Sequence, residues 1–390
     1  MRLATCGKGE RPLKRKRGAL AALAALMALC LALSGCTVVG PKNKTMMLRE
    51  PSAEPAETAS SGAGSFEIKK QYSFPLDKLN QSGLEDASGM MVVDWLDNDN
   101  LLVLAAVADE NGQLESELGS MSCQYGFYNP VLRIEGQMPD CVSLSPDKKT
   151  VSYQMQNEEV GKYTLLYSLE KQRQVLSCDS FRTYSTPVWS EDGQTLALAS
   201  VVNGEYGLTL INVQQGSTRK LREEDEEVLA VLDYYSDESV LIQRETGEDG
   251  TVALEIVNTT TGQVQSLFTG RVTQANALSG QSALVLNRNT LRYISVDGSQ
   301  SAAIESSVQA YAISPDGLYV AVAVQNLDGT VDVTVGRWSG THIINKKVIY
   351  KNIGDTVSRM LFSPNSLRLY VEGPLNASGR PTSATVLEFS

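Results

Sequence analysis

The stretch AISPDGLYVAVAV, Ala312–Val324, sets a tight-turn phrase directly before an apolar strand, and near-copies of it stand elsewhere in the chain. In Ser314-Pro315-Asp316-Gly317 the proline presets φ at the second turn position, aspartate suits the third, and glycine accepts the left-handed conformation that reverses the chain. The run that follows, Val320–Val324, is apolar on both faces, which predicts a strand sandwiched between neighbours. The phrase recurs as SLSPDKKTVSYQM from Ser143, VWSEDGQTLALAS from Val188 and LFSPNSLRLYVEG from Leu361, with weaker copies from Asp94, Asp233 and Asn276. Aligned on the first turn residue, the anchors are Leu96, Ser145, Ser190, Tyr235, Ser279, Ser314 and Ser363, with spacings of 49, 45, 45, 44, 35 and 49 residues.

A period near 45 without a helical pattern predicts a β-propeller of four-stranded blades, because solenoid repeats of that length are built from helices. Each apolar strand is followed by a more alternating hairpin with polar turns, as in 163–177, 206–221, 252–268 and 291–304. These hairpins fit the outer two strands of each blade. The last repeat runs one strand short, and SFEIKKQYSFP at 65–75 supplies the missing one, which removes an open sheet edge. The expectation is an all-β chain: seven four-stranded blades closed by an N-terminal strand, with six blades as the alternative count because of the 35-residue interval.

The phrases SPDG, SEDG and SPDK before apolar strands resemble the WD-type propeller repeats of the bacterial TolB-like group, from about residue 90 onward. The resemblance implies a propeller in which these residues build turns and blade cores, and it implies no particular activity. The chain departs from that group's pattern in reading without a separate N-terminal α/β domain and in carrying a cysteine placed for lipid attachment.

That cysteine is Cys36. Seven basic residues between Arg2 and Arg17 precede an apolar run, Ala19–Leu33, which is shorter than the roughly 20 residues of a membrane-spanning helix. The run ends in Leu33-Ser34-Gly35-Cys36, which resembles the lipobox of bacterial lipoproteins. The resemblance implies cleavage before Cys36 and acylation of its sulfur, hence a protein exported and held on the extracytoplasmic face of a membrane. The chain then divides into a signal peptide (1–35), a lipidated tether rich in Pro, Ala, Glu, Ser and Gly (36–65), and the propeller (66–390).

Cleavage leaves 27 Lys and Arg against 44 Asp and Glu, a net of −17, which repels nucleic acid and anionic lipid headgroups, so the lipid rather than electrostatics is expected to hold the protein at the membrane. Of the three cysteines after Cys36, namely Cys123, Cys141 and Cys178, one pair could form a disulfide, and buried thiols fit the wide spacing equally well.

Candidate chemistry is sparse. The single histidine, His342, falls in an outer hairpin of the sixth repeat and reads as an ordinary turn residue. The cysteine and histidine spacings match no zinc pattern, and Asp97-Asn98-Asp99-Asn100 reads as turn chemistry rather than a calcium loop. No cofactor and no catalytic or metal residues are therefore expected. The acidic run Glu223, Glu224, Asp225, Glu226 and Glu227 reads first as a solvated loop and second as a docking patch for a basic partner. Tyr125, Phe127, Tyr128, Tyr234 and Tyr235 either line a ring face or pack between blades. The resulting expectation is a non-enzymatic platform for an envelope protein or peptide. A small-molecule or glycan receptor using the channel is the alternative, and a propeller lyase is a third reading that lacks a visible acid, base and metal set.

Overall fold

The structure is a computed structural model. It describes residues 66–389 except 77–86, 109–110, 113, 135–138, 158–160, 179–185, 203–204, 222–227, 237, 247–249, 279–281, 296–300, 352 and 378–380. Cys36, the signal peptide and tether, and the acidic run 223–227 lie outside the described residues.

The described chain forms seven antiparallel four-stranded sheets. Blade one holds β2 (Ala87–Trp95), β3 (Asn100–Ala108), β4 (Leu114–Ser122) and β5 (Tyr128–Ile134); blade two holds β6 (Asp140–Leu144), β7 (Thr150–Asn157), β8 (Gly161–Ser168) and β9 (Arg173–Cys178). Blade three follows with β10 (Val188–Trp189), β11 (Thr195–Val202), β12 (Glu205–Asn212) and β13 (Ser217–Lys220), and blade four with β14 (Val228–Ser236), β15 (Ser239–Glu245), β16 (Val252–Asn258) and β17 (Val264–Gly270). Blade five has β18 (Val272–Leu278), β19 (Ser282–Asn287), β20 (Thr290–Ser295) and β21 (Ser301–Ser306); blade six has β22 (Val308–Ile313), β23 (Tyr319–Gln325), β24 (Val331–Trp338) and β25 (Ile343–Tyr350). Blade seven takes β26 (Arg359–Phe362), β27 (Arg368–Glu372) and β28 (Ser383–Phe389), and its outermost strand is β1 (Ile68–Pro75), paired antiparallel with β28 from Ile68↔Phe389 to Pro75↔Ser383. The first strands of adjacent blades touch one another, so they form the inner wall of the ring.

Seven blades are present, and the short fifth interval has a local cause. β19 turns into β20 through only Arg288 and Asn289, both at positive φ (47° and 63°), the geometry of the tightest hairpins. β21 then passes to β22 through Ser307 alone.

The recurring phrase builds one turn four times. Ser314 Oγ accepts from the Tyr319 amide at 2.9 Å and donates to Asp316 Oδ1, which accepts from the Leu318 amide at 3.1 Å. Ser145 with Asp147, Ser190 with Asp192 and Ser363 with Asn365 repeat the pattern. The fourth turn position is left-handed in every copy, at Gly193 and Gly317 but also at Lys148 (φ 62°) and Ser366 (φ 61°). Side-chain bonding by the serine and its acidic or amide partner therefore sets the turn even where glycine is missing.

The core lies between blades rather than within them. Seven clusters of buried apolar residues occupy the seven junctions: Val92, Trp95, Tyr370 and Val386 meet between blades seven and one, and Ala321, Val333, Leu369 and Leu387 between six and seven. β1 completes two of them, through Phe74 on the blade-one side and through the preceding Phe66, whose ring meets Tyr319 at 4.8 Å and Phe389 at 5.6 Å.

Ser314→Ala removes the acceptor of the Tyr319 amide and the donor to Asp316 at a fully buried hydroxyl-bearing residue. It is expected to cost about 1–3 kcal/mol in denaturant unfolding, whereas Lys70→Ala on the exposed face of β1 should stay within about 0.5 kcal/mol.

Candidate functional site

Polar side chains reach across every junction, most of them to or from an inner strand. Arg359 of β26 donates to the Val92 and Val93 carbonyls, both at 2.7 Å, and Trp95 Nε1 returns a bond to the Leu361 carbonyl at 3.1 Å. Lys148 pairs with Asp94 at 2.7 Å between blades two and one, and Trp189 Nε1 donates to Ser143 Oγ at 3.0 Å between three and two. Arg219 donates to the Thr259 carbonyl between three and four. Gln274 of β18 donates to the Tyr311 carbonyl and accepts from its amide, and Gln309 of β22 does the same with the Asp355 carbonyl and the Val357 amide. Each amide side chain thus mimics one more strand, locking the register between two inner strands.

Asp233 of β14 spans the junction between blades four and five. It accepts from the Ala277 amide at 3.0 Å and Asn276 Nδ2 at 3.4 Å in blade five. Burial pushes its carboxyl up to about 6, against the opposing pull of hydrogen bonds from Ala277, Asn276 and Tyr234. Tyr311, fully buried with its hydroxyl on the Leu284 carbonyl, is driven well up by burial and by the nearby Asp233 charge. These donors and acceptors are therefore engaged in holding blades together, whereas the buried hydroxyls of Tyr234 and Tyr235 on β14 have no hydrogen-bond partner among the described residues. Among the described residues, no group of three His, Cys, Asp or Glu side chains converges as an ion would require.

The other expected positions separate cleanly. His342 is exposed in the β24–β25 turn, with Nδ1 2.7 Å from Thr341 Oγ1. Asp97 caps its own turn, accepting from the Asp99 and Asn100 amides at 2.7 and 2.8 Å. Cys123 is buried, and burial pushes its thiol up to about 11, so it is unreactive. Tyr128 and Tyr234 are core residues; the Tyr128 ring lies so close over Gly119 that a Cβ there would sit 2.3 Å from it. Tyr235 packs against the apolar cluster between blades four and five.

Tyr125 and Phe127 differ from these. They are 66% and 61% exposed, with ring centroids 5.9 Å apart and planes inclined by 28°. Their hairpin, between β4 and β5, is closed by Ser122 N to the Phe127 carbonyl at 2.9 Å and by Gly126 N to the Ser122 carbonyl at 2.8 Å, with Gly126 at φ 67°. The Cys123 amide donates to the Asp99 carbonyl, which ties this hairpin to the adjacent β2–β3 turn. Asp99 in turn pairs with Arg368 of blade seven, which also holds Glu388 at 3.1 Å. Two stacked rings thus stand exposed on a hairpin tied through Cys123 to the β2–β3 turn.

No family model matches this chain, and no curated protein matches it in sequence. Solved propellers match in shape. An uncharacterised protein of Listeria monocytogenes, 10% identical, superposes with a TM-score of 0.56 over 76% of this chain and 94% of that one. An oligogalacturonate lyase in complex with manganese, 10% identical, gives 0.52 over 84% and 98%. TolB of Acinetobacter baumannii, 12% identical, gives 0.41 over 64% and 77%, too distant to bear on function. The matches establish the propeller fold, which enzymes and other propellers share.

Asp233 makes stability pH-dependent. Its folded-state value near 6 lies above the ordinary 3.8, so the folded protein holds the proton more tightly and loses stability as pH rises from about 4 through about 6. Asp233→Asn lacks this loss, so its melting temperature should gain on that of the wild type between pH 5 and pH 7; a constant difference would refute the assignment.

Proposed function

We propose that the protein is a lipid-anchored, extracytoplasmic propeller that serves as a non-enzymatic platform for a protein or peptide in a bacterial envelope. The observation that carries the platform reading is the Tyr125–Phe127 pair, two large rings left in solvent on a hairpin with no freedom to bury them. Stacked aromatics supply contact area at low entropic cost, and their π faces suit a segment bearing Arg, Lys or Pro side chains. The propeller fold supports this use, since a rigid ring can present short loops without reorganising. The inner strands give the receptor alternative less support, because their polar groups bind neighbouring blades. The acidic residues Glu223–Glu227 stand as a second proposed contact for the same basic partner.

The anchoring half of the proposal rests on the order of basic leader, apolar run and Cys36. Metabolic labelling with an alkynyl fatty acid should mark the wild type in the membrane fraction and leave Cys36→Ala unlabelled. The platform half is tested by selecting a random peptide library on the protein. Selected peptides should be rich in Arg, Lys, Pro or aromatic residues, and Tyr125→Ala with Phe127→Ala should weaken them by about tenfold or more without moving the melting temperature. Peptides indifferent to both substitutions would place the contact elsewhere.

A further inference from the structure

The net charge of the chain hides an uneven distribution. β1 reads IKKQYSFP and β25 reads IINKKVIY; neither contains an Asp or Glu, although acids outnumber bases overall by 45 to 34. The two are the outermost strands of adjacent blades, seven and six, and both turn their middles to solvent. Lys69, Lys70 and Lys347 are exposed on them, and Lys351 follows directly after β25. Between the lysines stand exposed aliphatic side chains: Ile68 at 38%, Ile344 at 42% and Val348 at 41%. Of the carboxylates at this rim, Glu305 is engaged by Lys346 and Glu388 by Arg368, and Glu67 is exposed immediately before β1.

The segment from Cys36 enters the fold here as well. Phe66, the first described residue, packs between Tyr319 of blade six and Phe389 of blade seven. A 30-residue tether of the composition expected for 36–65 would reach roughly 30 Å. A lipid on Cys36 would therefore leash the ring to the bilayer at a point that joins this rim.

From these observations we infer that the outer rim of blades six and seven, around β1 and β25, docks on an anionic phospholipid surface. Lysines over lipid headgroups with aliphatic residues between them are the composition of a peripheral membrane contact. The contact sets the orientation of the ring, while the acidic remainder is repelled. The inference rests on the anchored reading for its setting, but its test does not pass through Cys36.

Residues 66–390 include all seven blades and both strands that close the ring, so they suffice. Their flotation with vesicles of equal phosphatidylglycerol and phosphatidylcholine is compared with phosphatidylcholine alone. Binding is expected on the anionic vesicles at low ionic strength and should fade as salt shortens the screening length. Each lysine lost should weaken it about fivefold. Lys69→Glu, Lys70→Glu, Lys347→Glu and Lys351→Glu together should abolish it, whereas Lys171→Glu with Arg173→Glu, on blade two, should leave it within about twofold. If the fourfold reversal does not fold, Lys69→Gln with Lys70→Gln should still cost about tenfold or more. Failure to bind anionic vesicles, or equal loss in both sets, overturns the inference. So does unchanged vesicle binding with new self-association of the reversed protein, which would mean that the lysines only guard sheet edges. Lack of fatty-acid label on Cys36 would undo the anchoring proposal alone.

Discussion

Apolar surface shared between blades is the constraint on which the structure depends. A single four-stranded sheet of this chain has no interior, because its buried residues, such as Val320–Ala323 of β23, divide between two junctions. Covering one face of a blade requires the next blade, and covering the last requires the first. That demand explains why the second strand of nearly every repeat is apolar on both faces, and why the N-terminal strand is built into the final sheet rather than into the first. Burial of this kind supplies the main favourable term in folding, and here a broken junction would wet two blades at once.

Apolar contact alone leaves blades free to slide, because it lacks direction. The polar belt of the inner wall supplies that direction. Gln274 and Gln309 bond to main-chain groups of the next inner strand as a further strand would, while Arg359 grips two successive carbonyls. The belt also accounts for an ionisable group at an uncomfortable depth. Asp233 keeps its place because two groups of blade five donate to it, although burial favours its protonated form. The proposed contacts use what the ring does not need for itself: the turn-borne rings of Tyr125 and Phe127, and the lysines of β1 and β25.

Much of the architecture could be read from spacing, because each turn phrase marks one blade and a missing last strand points to the chain's beginning. The reading credited proline and glycine with the turn, yet Lys148 and Ser366 hold the left-handed position without glycine. Their turns survive through a serine hydroxyl bonded to an amide five residues on, a pairing that residue type alone does not disclose. The belt was less legible, since Gln274 meets Tyr311 only after 37 residues of chain have folded between them. Its trace in the sequence is a long polar residue inside an otherwise apolar first strand, as in VTQANAL and VQAYAI. Among five candidate aromatics, Tyr125 and Phe127 differ from Tyr128 by a glycine turn that leaves two rings out and folds the third over Gly119.

The central claim is that β1 is an integral wall of the ring, since without it two junctions lie open. Native-state hydrogen exchange tests this most directly, by comparing the amides of β1 that bond to β28 with those of β27 and β28. Exchange of all three through one common opening, with the same free energy and the same denaturant dependence, is the result this account requires. Exchange of β1 a hundredfold or more faster, with β27 and β28 unaffected, would contradict it.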